Sequence, residues 1–181
     1  MTNNNSICSI ASVRSLHKYL FEIISIAAIV YLLSLHFSLL DILNINWDEF
    51  YYLSIIHSYL RGEIQPGFQT FHALLFFWVP ALSSNEVDQI IAAKSIFWLI
   101  QVVNSFFLFK ITFELAGRKA ALFNVISNLS FSYVLRHGLA FRFDFVISTF
   151  FLCALYLLIC LPKRHSFQIA AGIIFCLSLL V

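Results

Sequence analysis

The chain predicts an all-α fold, a multi-pass transmembrane helical bundle of about five spans with an interfacial helical first external loop. Three observations carry this prediction. Hydrophobic residues make up 61% of the 181 residues, and charged residues make up only 11%, against about 25% in globular proteins. Long apolar runs alternate with short polar or basic turns. Most acidic residues collect on the side of these runs opposite to the basic turns, as expected for a protein that crosses a membrane.

The first apolar run, residues 19–40, follows a polar tail of residues 1–18. The run is long enough to cross about 30 Å of hydrocarbon as a helix. A cleaved signal peptide would have a shorter apolar core that ends at small residues, and this run has neither feature. We therefore expect a retained span that follows a cytoplasmic tail.

The connection after the first span, residues 41–87, is unusually long for a membrane protein of this size. Its apolar patch, residues 71–82, is too short to span and is bracketed by a glycine and a proline, so we expect a helix that lies in the interface or re-enters it. A second helix is predicted earlier in the connection, because Asn46 is a suitable cap and Glu49 follows it by three residues.

The remaining apolar runs predict four further spans and set the topology. A Ser-x-x-Glu capping box from Ser83 to Glu86 marks the start of the second span. The four spans cover residues 88–114, 120–134, 139–161 and 167–181. With a cytoplasmic amino terminus, the basic turns at 117–119 and 162–165 lie inside, in agreement with the positive-inside rule. The last run has no flanking polar group, which predicts a module that is incomplete at its carboxyl end.

Asp48 and Glu49 form an acidic pair in the first turn of the predicted external helix. Free backbone N–H groups and the helix dipole favour carboxylates at this position. Acids held at a fixed depth at a membrane surface suit proton abstraction, or the binding of a divalent ion that holds a phosphate. The alternative is that the pair only begins an amphipathic surface helix.

A second group of charges surrounds the outer mouth of the predicted fourth span. Arg142 and Asp144 lie there, and Arg136 and His137 belong to the same external break, which leaves room for an anion. An ionisable residue at a membrane mouth is costly unless it faces a cavity or a partner, so this group is a functional candidate. The alternative is an arginine that extends to the interface and an aspartate that caps a helix.

Lys94 begins a polar stripe along the second span, and Trp98, Gln101 and Ser105 follow on roughly the same helical face. The third span carries a similar stripe that includes Asn124. We expect the amides of both stripes to form hydrogen bonds between helices. Lys94 lies about two turns below the outer end of its helix, so it either extends outward or meets an anionic group in an outward-facing cavity.

Three polar residues of the external connection are further candidates. Arg61, at the end of the first external helix, is either a phosphate-binding residue or a solvated cation. His57 and His72 share no metal-ligand spacing, so we expect structural roles for both and predict no histidine metal site.

Three stretches of the sequence together resemble the amino-terminal part of the GT-C glycosyltransferases. These multispan enzymes use polyprenyl-phosphate sugars and include protein O-mannosyltransferases and lipid A aminoarabinose transferases. The stretches are Trp47-Asp48-Glu49-Phe50 with Gly62-Glu63, then Ala92-Ala93-Lys94, then Gly117-Arg118-Lys119-Ala120-Ala121 leading to Arg142-Phe143-Asp144. The family normally has an arginine where this chain has Lys94. Its members also have further spans, so the resemblance implies a fragment or a truncated product.

The resemblance implies a membrane glycosyltransferase that moves a sugar from a polyprenyl-phosphate donor to a lipid, glycan or protein acceptor on the external face. It implies Asp48 as general base, with Glu49 beside it and Asp144 as the second acid. Arg142 and Lys94 are implied to bind the donor phosphate.

The same resemblance implies a bacterial inner membrane, with membrane lipid as a further partner and no nucleic acid. A divalent cation at Asp48 and Asp144 stays an open alternative that the sequence does not require. The competing interpretation is a truncated noncatalytic pseudoenzyme or a lipid-binding membrane subunit.

Overall fold

The protein is helical throughout the part of the chain that the structure describes. The computed structural model describes residues 4–40, 45–63, 75–142, 144–162 and 164–180, and no strand occurs within these ranges. In chain order the helices are α1 (Asn4–Ser38), α2 (Trp47–Leu60), a 3-10 helix (Val79–Leu82), α3 (Glu86–Ala116), α4 (Arg118–Ser130), α5 (Ser132–His137), α6 (Asp144–Ile159) and α7 (His165–Leu180). The predicted all-α class is confirmed.

Two of these helices are long and apolar enough to cross a membrane. They are the segment Tyr19–Ser38 of α1, with a mean hydropathy of 2.1, and the 31 residues of α3, with a mean hydropathy of 1.7. A span needs about 20 apolar residues. Helices α6 and α7, with 16 residues each, are shorter than this, so the arrangement of five spans stays a prediction.

Contacts between α1 and α4 show that these two helices run in the same direction. Glu22 of α1 forms an ion pair with Arg118 at the start of α4, with 3.2 Å between Oε2 and Nη1. Near the other end of α1, His36 Nε2 lies 3.0 Å from the carbonyl oxygen of Leu129, close to the end of α4. Two contacts far apart along both helices therefore fix their relative direction.

Helices α3 and α6 also run parallel to each other. Ser148, near the start of α6, lines the same cavity as Gln101 of α3. Tyr156, near the end of α6, packs on Phe107 with 5.3 Å between ring centroids. Helix α7 returns antiparallel to α6, since Phe151 of α6 packs against Phe175 of α7.

These directions give the bundle two chemically different ends. The basic end holds the starts of α4 and α7, with Arg118, Lys119 and Arg164. The acidic end holds α2 and the starts of α3 and α6; its acidic residues include Asp48, Glu49, Glu86, Asp88 and Asp144. The separation of charge predicted from the sequence therefore corresponds to the two ends of the helix bundle.

The start of α3 differs from the predicted capping box. Asn85, and not Ser83, is the N-cap, because its side-chain oxygen accepts a hydrogen bond from the N–H of Val87 at 3.0 Å. Ser83 instead accepts a hydrogen bond from the N–H of Asn85. At the other end, Gly117 has a φ of 82°, a left-handed conformation that glycine adopts at little cost and that ends the helix.

The predicted third and fourth spans are each interrupted. Phe131 has extended backbone angles that separate α4 from α5, so no single helix covers residues 120–134. Helix α6 begins at Asp144 and not at Leu139. Residues 138–142 form a turn, within which the N–H of Arg142 donates to the carbonyl of Ala140 at 2.7 Å, and we call this segment the 138–142 turn.

The described part of the predicted interfacial patch packs partly inward, since Phe77 and Leu82 are exposed. Its residues 79–82 form the short 3-10 helix, and the side chains of Phe76 and Val79 are buried. Residues 71–74 of the patch lie outside the described residues. The patch therefore contributes to the core and does not form one continuous surface helix over the residues that are described.

A hydrophobic core joins α2, α3 and the 138–142 turn. Phe97 of α3 packs edge-on against Phe141 with 5.7 Å between centroids, and Phe76 contacts both rings. Leu53 and Ile56 of α2 belong to the same core. Burial of each such side chain contributes about 1.5–3 kcal/mol. This packing holds Arg142, the residue after Phe141, at a defined position on the acidic end.

Candidate functional site

The acidic pair lies at the start of α2, as the sequence predicts. Asn46 Oδ1 accepts a hydrogen bond from the N–H of Glu49 at 3.1 Å, and Glu49 Oε2 accepts one from the N–H of Asn46 at 3.0 Å. This reciprocal pattern is a capping box, and the prediction of a helix that begins at Asn46 is confirmed. The capping box holds the Glu49 side chain against the end of the helix.

Glu49 is buried and connects three separate segments. Its side chain is 1% exposed, and its Oε2 atom lies 3.3 Å from Nζ of Lys94, which is 3% exposed. Its other oxygen, Oε1, accepts a hydrogen bond from the N–H of Phe141 at 2.8 Å. One carboxylate thus joins α2 to α3 and to the 138–142 turn. We call this arrangement the Glu49 latch.

The Glu49 latch holds the segment that precedes the late start of the predicted fourth span. The N–H of Phe141 donates to a side chain from α2, and the side chain of Phe141 fills the core between α2 and α3. Phe141 is thus fixed by contacts with other segments three residues before α6 begins. Lys94 forms an ion pair with the same carboxylate inside the bundle, and so its partner is a buried group of the chain and not an anion in an outward-facing cavity.

Asp48 occupies a different environment from its neighbour. Its side chain is 57% exposed, and its Oδ2 atom lies 3.9 Å from Nη1 of Arg142. The Nη2 atom of Arg142 lies 3.4 Å from Oδ2 of Asp144, whose side chain is 67% exposed. Arg142 therefore lies between two accessible carboxylates that are 96 positions apart in sequence. We call these three residues the Asp48–Arg142–Asp144 cluster.

Tyr52 lies one helical turn after Asp48 and is affected by the same cluster. Burial, followed by the negative charge of Asp144, raises the pKa of Tyr52 above its ordinary value of 10.0, and the positive charge of Arg142 partly opposes this rise. The phenol is therefore held in its protonated form, in which it can donate a hydrogen bond.

A cavity of about 390 Å³ opens beside this cluster between α3, α5 and α6. Arg142, Asp144 and His137 line one part of it, and Gln101, Asn104 and Ser148 line another. Leu108, Phe151 and Leu152 provide apolar wall further along α3 and α6. Its size and its mixture of apolar wall with a few polar groups are typical of small-molecule sites, which measure about 300–1,000 Å³.

Several polar atoms around the cavity are buried and have no hydrogen-bond partner among the described residues. They are Nε2 and Oε1 of Gln101, Oδ1 of Asn104, Nδ1 of His137 and Nε of Arg142. The predicted interhelical role holds for Asn124, which donates to Thr112 Oγ1 at 2.8 Å, but not for Gln101. Asn104 was not singled out from the sequence, although an amide one turn from Gln101 is a signal that could have indicated it.

The other predicted residues lie apart from this site or outside the described part of the chain. Arg61 forms an exposed ion pair with Glu63 at 2.9 Å and lines a separate depression with His57. His57 Nε2 lies 3.1 Å from Oε1 of Gln89, which fits the expected structural role. The side chain of Arg136 and all of His72 lie outside the described residues.

Comparison with protein-family models, curated proteins and solved structures finds no match to the chain. Among the described residues, no group of three or more His, Cys, Asp or Glu side chains is placed to hold a metal ion. We therefore infer the function from the Asp48–Arg142–Asp144 cluster, the Glu49 latch and the cavity.

Proposed function

We propose that the chain is the catalytic module of a membrane glycosyltransferase that moves a sugar from a polyprenyl-phosphate donor to an acceptor hydroxyl. One observation carries the proposal: Arg142 lies between the accessible carboxylates of Asp48 and Asp144 at the edge of a cavity with polar and apolar walls. Sugar transfer from a phosphate needs a base for the acceptor and positive charge near the leaving group. The cluster supplies both kinds of group in one place.

In the proposed reaction, Asp48 accepts the proton of the acceptor hydroxyl. The acceptor oxygen forms a bond to the anomeric carbon as the bond between that carbon and the phosphate oxygen breaks, which inverts the configuration. The electron pair of the broken bond leaves with the phosphate, whose added negative charge Arg142 stabilises. Asp144 orients Arg142 through the second arm of the guanidinium.

A five-span topology with the acidic end outside is part of the same proposal. Two helices meet the length and hydropathy of a span, and the basic residues of the α3–α4 and α6–α7 turns lie at the opposite end, as the positive-inside rule requires of the cytoplasmic face. Helix α1 exposes apolar side chains such as Ile23, Ile24 and Val30, which suits contact with lipid. We assign this module to a bacterial inner membrane by its resemblance to the GT-C enzymes.

A noncatalytic lipid-binding membrane subunit is the second candidate. The observation that favours it is the Glu49 latch, in which Glu49 and Lys94 are both buried against each other. Neither group is then presented to a substrate, so the catalytic assignment depends on the exposed cluster alone. A lipid-binding subunit would keep the cavity and would not depend on Asp48 for its activity.

The test is sugar transfer by membranes that contain the protein, with Asp48→Asn as the critical variant. Loss of a general base lowers a rate by about 10²–10⁴-fold, so we expect transfer from a radiolabelled polyprenyl-phosphate hexose to fall by this factor. The matched control is Asp88→Asn, which removes an exposed carboxylate from the same end of the bundle and should leave the rate unchanged.

The amount of folded protein in both variants is checked by size-exclusion chromatography in detergent. Equal rates for Asp48→Asn and Asp88→Asn would remove Asp48 from the mechanism. A wild-type protein that binds polyprenyl-phosphate hexose and transfers no sugar would favour the lipid-binding subunit.

A further inference from the structure

The amides of Gln101 and Asn104 are the most unusual polar groups in the described part of the bundle. Gln101 is 1% exposed and Asn104 is 6% exposed. Both side chains line the cavity, and neither Gln101 Oε1, Gln101 Nε2 nor Asn104 Oδ1 has a hydrogen-bond partner among the described residues. Buried polar groups in proteins are nearly always paired. An unpaired group costs stability, and these atoms lie on the wall of an open cavity.

The types of unpaired atom restrict what could satisfy them. Gln101 presents both a donor and an acceptor, and Asn104 presents a free acceptor oxygen. A phosphate has acceptor oxygens and negative charge, so it cannot satisfy amide oxygens. A hydrocarbon chain satisfies none of these atoms. A hydroxyl group both donates and accepts, so a group with several hydroxyls is complementary to this part of the wall.

The order of residues along the cavity also fits a lipid that carries such a group. Arg142 and Asp144 line it next to the exposed cluster, and Gln101 lies halfway along α3. Beyond the amides, in the direction of the basic end, the wall includes the apolar side chains of Leu108 and Leu152 together with the amide of Asn128. A sugar beside Gln101 would therefore lie deeper in the cavity than a phosphate at Arg142, and a hydrocarbon chain attached through that phosphate would extend from the mouth.

We propose that the cavity binds the polyhydroxylated head of a lipid-linked sugar, whose hydroxyls donate to Gln101 Oε1 and Asn104 Oδ1 and accept from Gln101 Nε2. This inference rests on the proposed function for the class of ligand, and it extends that function by naming residues that select the sugar. Binding itself needs no transfer, so the site is measurable when turnover is blocked. The sugar could belong to the donor or to a glycolipid acceptor, and both present the same hydroxyl chemistry.

The test measures lipid binding to the purified protein in phosphatidylcholine nanodiscs by native mass spectrometry. The probes are a polyprenyl-phosphate hexose, an alkyl glucoside and a polyprenyl phosphate without sugar. The variants are Gln101→Leu and Asn104→Leu, which keep a similar size and remove the amide. Gln168→Leu is the control, because Gln168 is an exposed amide on α7.

We expect each cavity variant to bind at least one sugar-bearing probe about two- to tenfold more weakly, which is the effect of one lost hydrogen bond. The sugar-free polyprenyl phosphate should bind equally to all variants. If only the polyprenyl-phosphate hexose binds more weakly, the site belongs to the donor. If the alkyl glucoside also binds more weakly, the site recognises the sugar and does not need the phosphate. Melting temperatures of both cavity variants should be unchanged or higher, because Gln101 Oε1, Gln101 Nε2 and Asn104 Oδ1 have no hydrogen-bond partner among the described residues.

Unchanged binding of every probe, or no binding of a sugar lipid by the wild type, overturns the inference and leaves a cavity filled by water. An equal loss for the sugar-free probe overturns it as well. A lower melting temperature without a loss of binding would show that the amides are structural. These outcomes are separate from those of the transfer test, since Asp48→Asn should keep its binding of the sugar lipid.

Discussion

Asp48 and Glu49 are neighbours in sequence, yet they occupy opposite environments. The side chain of Asp48 is 57% exposed and lies 3.9 Å from Arg142, whereas that of Glu49 is 1% exposed and lies 3.3 Å from Lys94. Consecutive residues of a helix point about 100° apart, so Glu49 faces the core while Asp48 faces solvent and Arg142. Two acids that look equivalent in the sequence therefore divide into one that organises the fold and one that is available for chemistry.

The Glu49–Lys94 pair and the Asp48–Arg142 pair also differ in how completely their polar atoms are hydrogen-bonded. Glu49 receives hydrogen bonds from two backbone N–H groups in addition to Lys94. Buried charges persist only when they are paired and hydrogen-bonded in this way. Arg142 still has a buried Nε atom without a partner, and both of its carboxylates are open to solvent. This difference is the physical reason for assigning substrate contact to the cluster and positioning to the latch.

The largest expected effect is a difference in stability between variants of the two acids. Glu49→Gln should lower the free energy of unfolding by about 3–5 kcal/mol, because it removes the carboxylate that forms an ion pair with the buried charge of Lys94. Asp48→Asn should change it by less than about 0.5 kcal/mol, as surface substitutions usually do. Unfolding by titration with sodium dodecyl sulfate measures both variants.

The double variant Glu49→Gln with Lys94→Met is the internal control for this comparison. It removes both charges, so it should recover most of the stability lost in Glu49→Gln. A Glu49→Gln protein as stable as the wild type would contradict the Glu49 latch.

A smaller effect is expected for Arg142, which belongs to the cluster and stabilises the charge of the leaving phosphate in the proposed reaction. Arg142→Gln should lower the rate of sugar transfer by about ten- to a hundredfold, because a charge-assisted hydrogen bond contributes about 1.5–3 kcal/mol. Arg142→Lys should recover part of the rate, since it keeps the charge and loses the planar fork. Steady-state transfer kinetics provide the measurement, and equal rates for Gln and Lys at this position would argue against a role for the charge.

The smallest effect concerns Tyr52 at high pH. Because its pKa is raised in the folded protein, the folded state holds this proton more tightly than the unfolded state. The resulting stabilisation is present below the ordinary tyrosine pKa of 10.0 and is lost as the pH rises through and above that value. The melting temperature of Tyr52→Phe should therefore fall less than that of the wild type between about pH 9 and pH 11.

Tyr19→Phe is the matched control for the pH series, because it removes an exposed phenol on α1 that is not among the causes of the raised pKa of Tyr52. Its melting temperature should follow that of the wild type over the same range. A Tyr52→Phe variant that loses stability as steeply as the wild type would show that the phenol does not contribute.

Local features of the chain were predictable because they depend on residues close in sequence. The capping box at Asn46 and Glu49 needs only four consecutive residues, and the structure contains it. The apolar length of α1 and α3 is equally local. The turn before α6 was not predictable in this way, because Phe141 in that turn donates a hydrogen bond to a carboxylate 92 positions away.

The sequence indicated the charged residues of the candidate site, but it did not indicate how they pair. Asp48, Arg142 and Asp144 were all indicated by charges at the ends of apolar runs, and the structure brings them together. Lys94 was expected to bind the same donor phosphate as Arg142, yet it forms an ion pair with Glu49 inside the bundle. Charge and hydropathy indicate which residues are costly to bury, but they do not indicate which partner will offset that cost.

The sequence by itself determined the helical class, the separation of acidic and basic residues, and the first turn of α2, since each follows from composition or short-range periodicity. Only the tertiary structure decided which of two adjacent acids is buried, which amide atoms of Gln101 and Asn104 have no hydrogen-bond partner among the described residues, and which arginine joins Asp48 to Asp144. Those properties depend on contacts between segments far apart in the chain. Burial and pairing are set by such contacts, because the groups packed around a side chain determine its local dielectric constant.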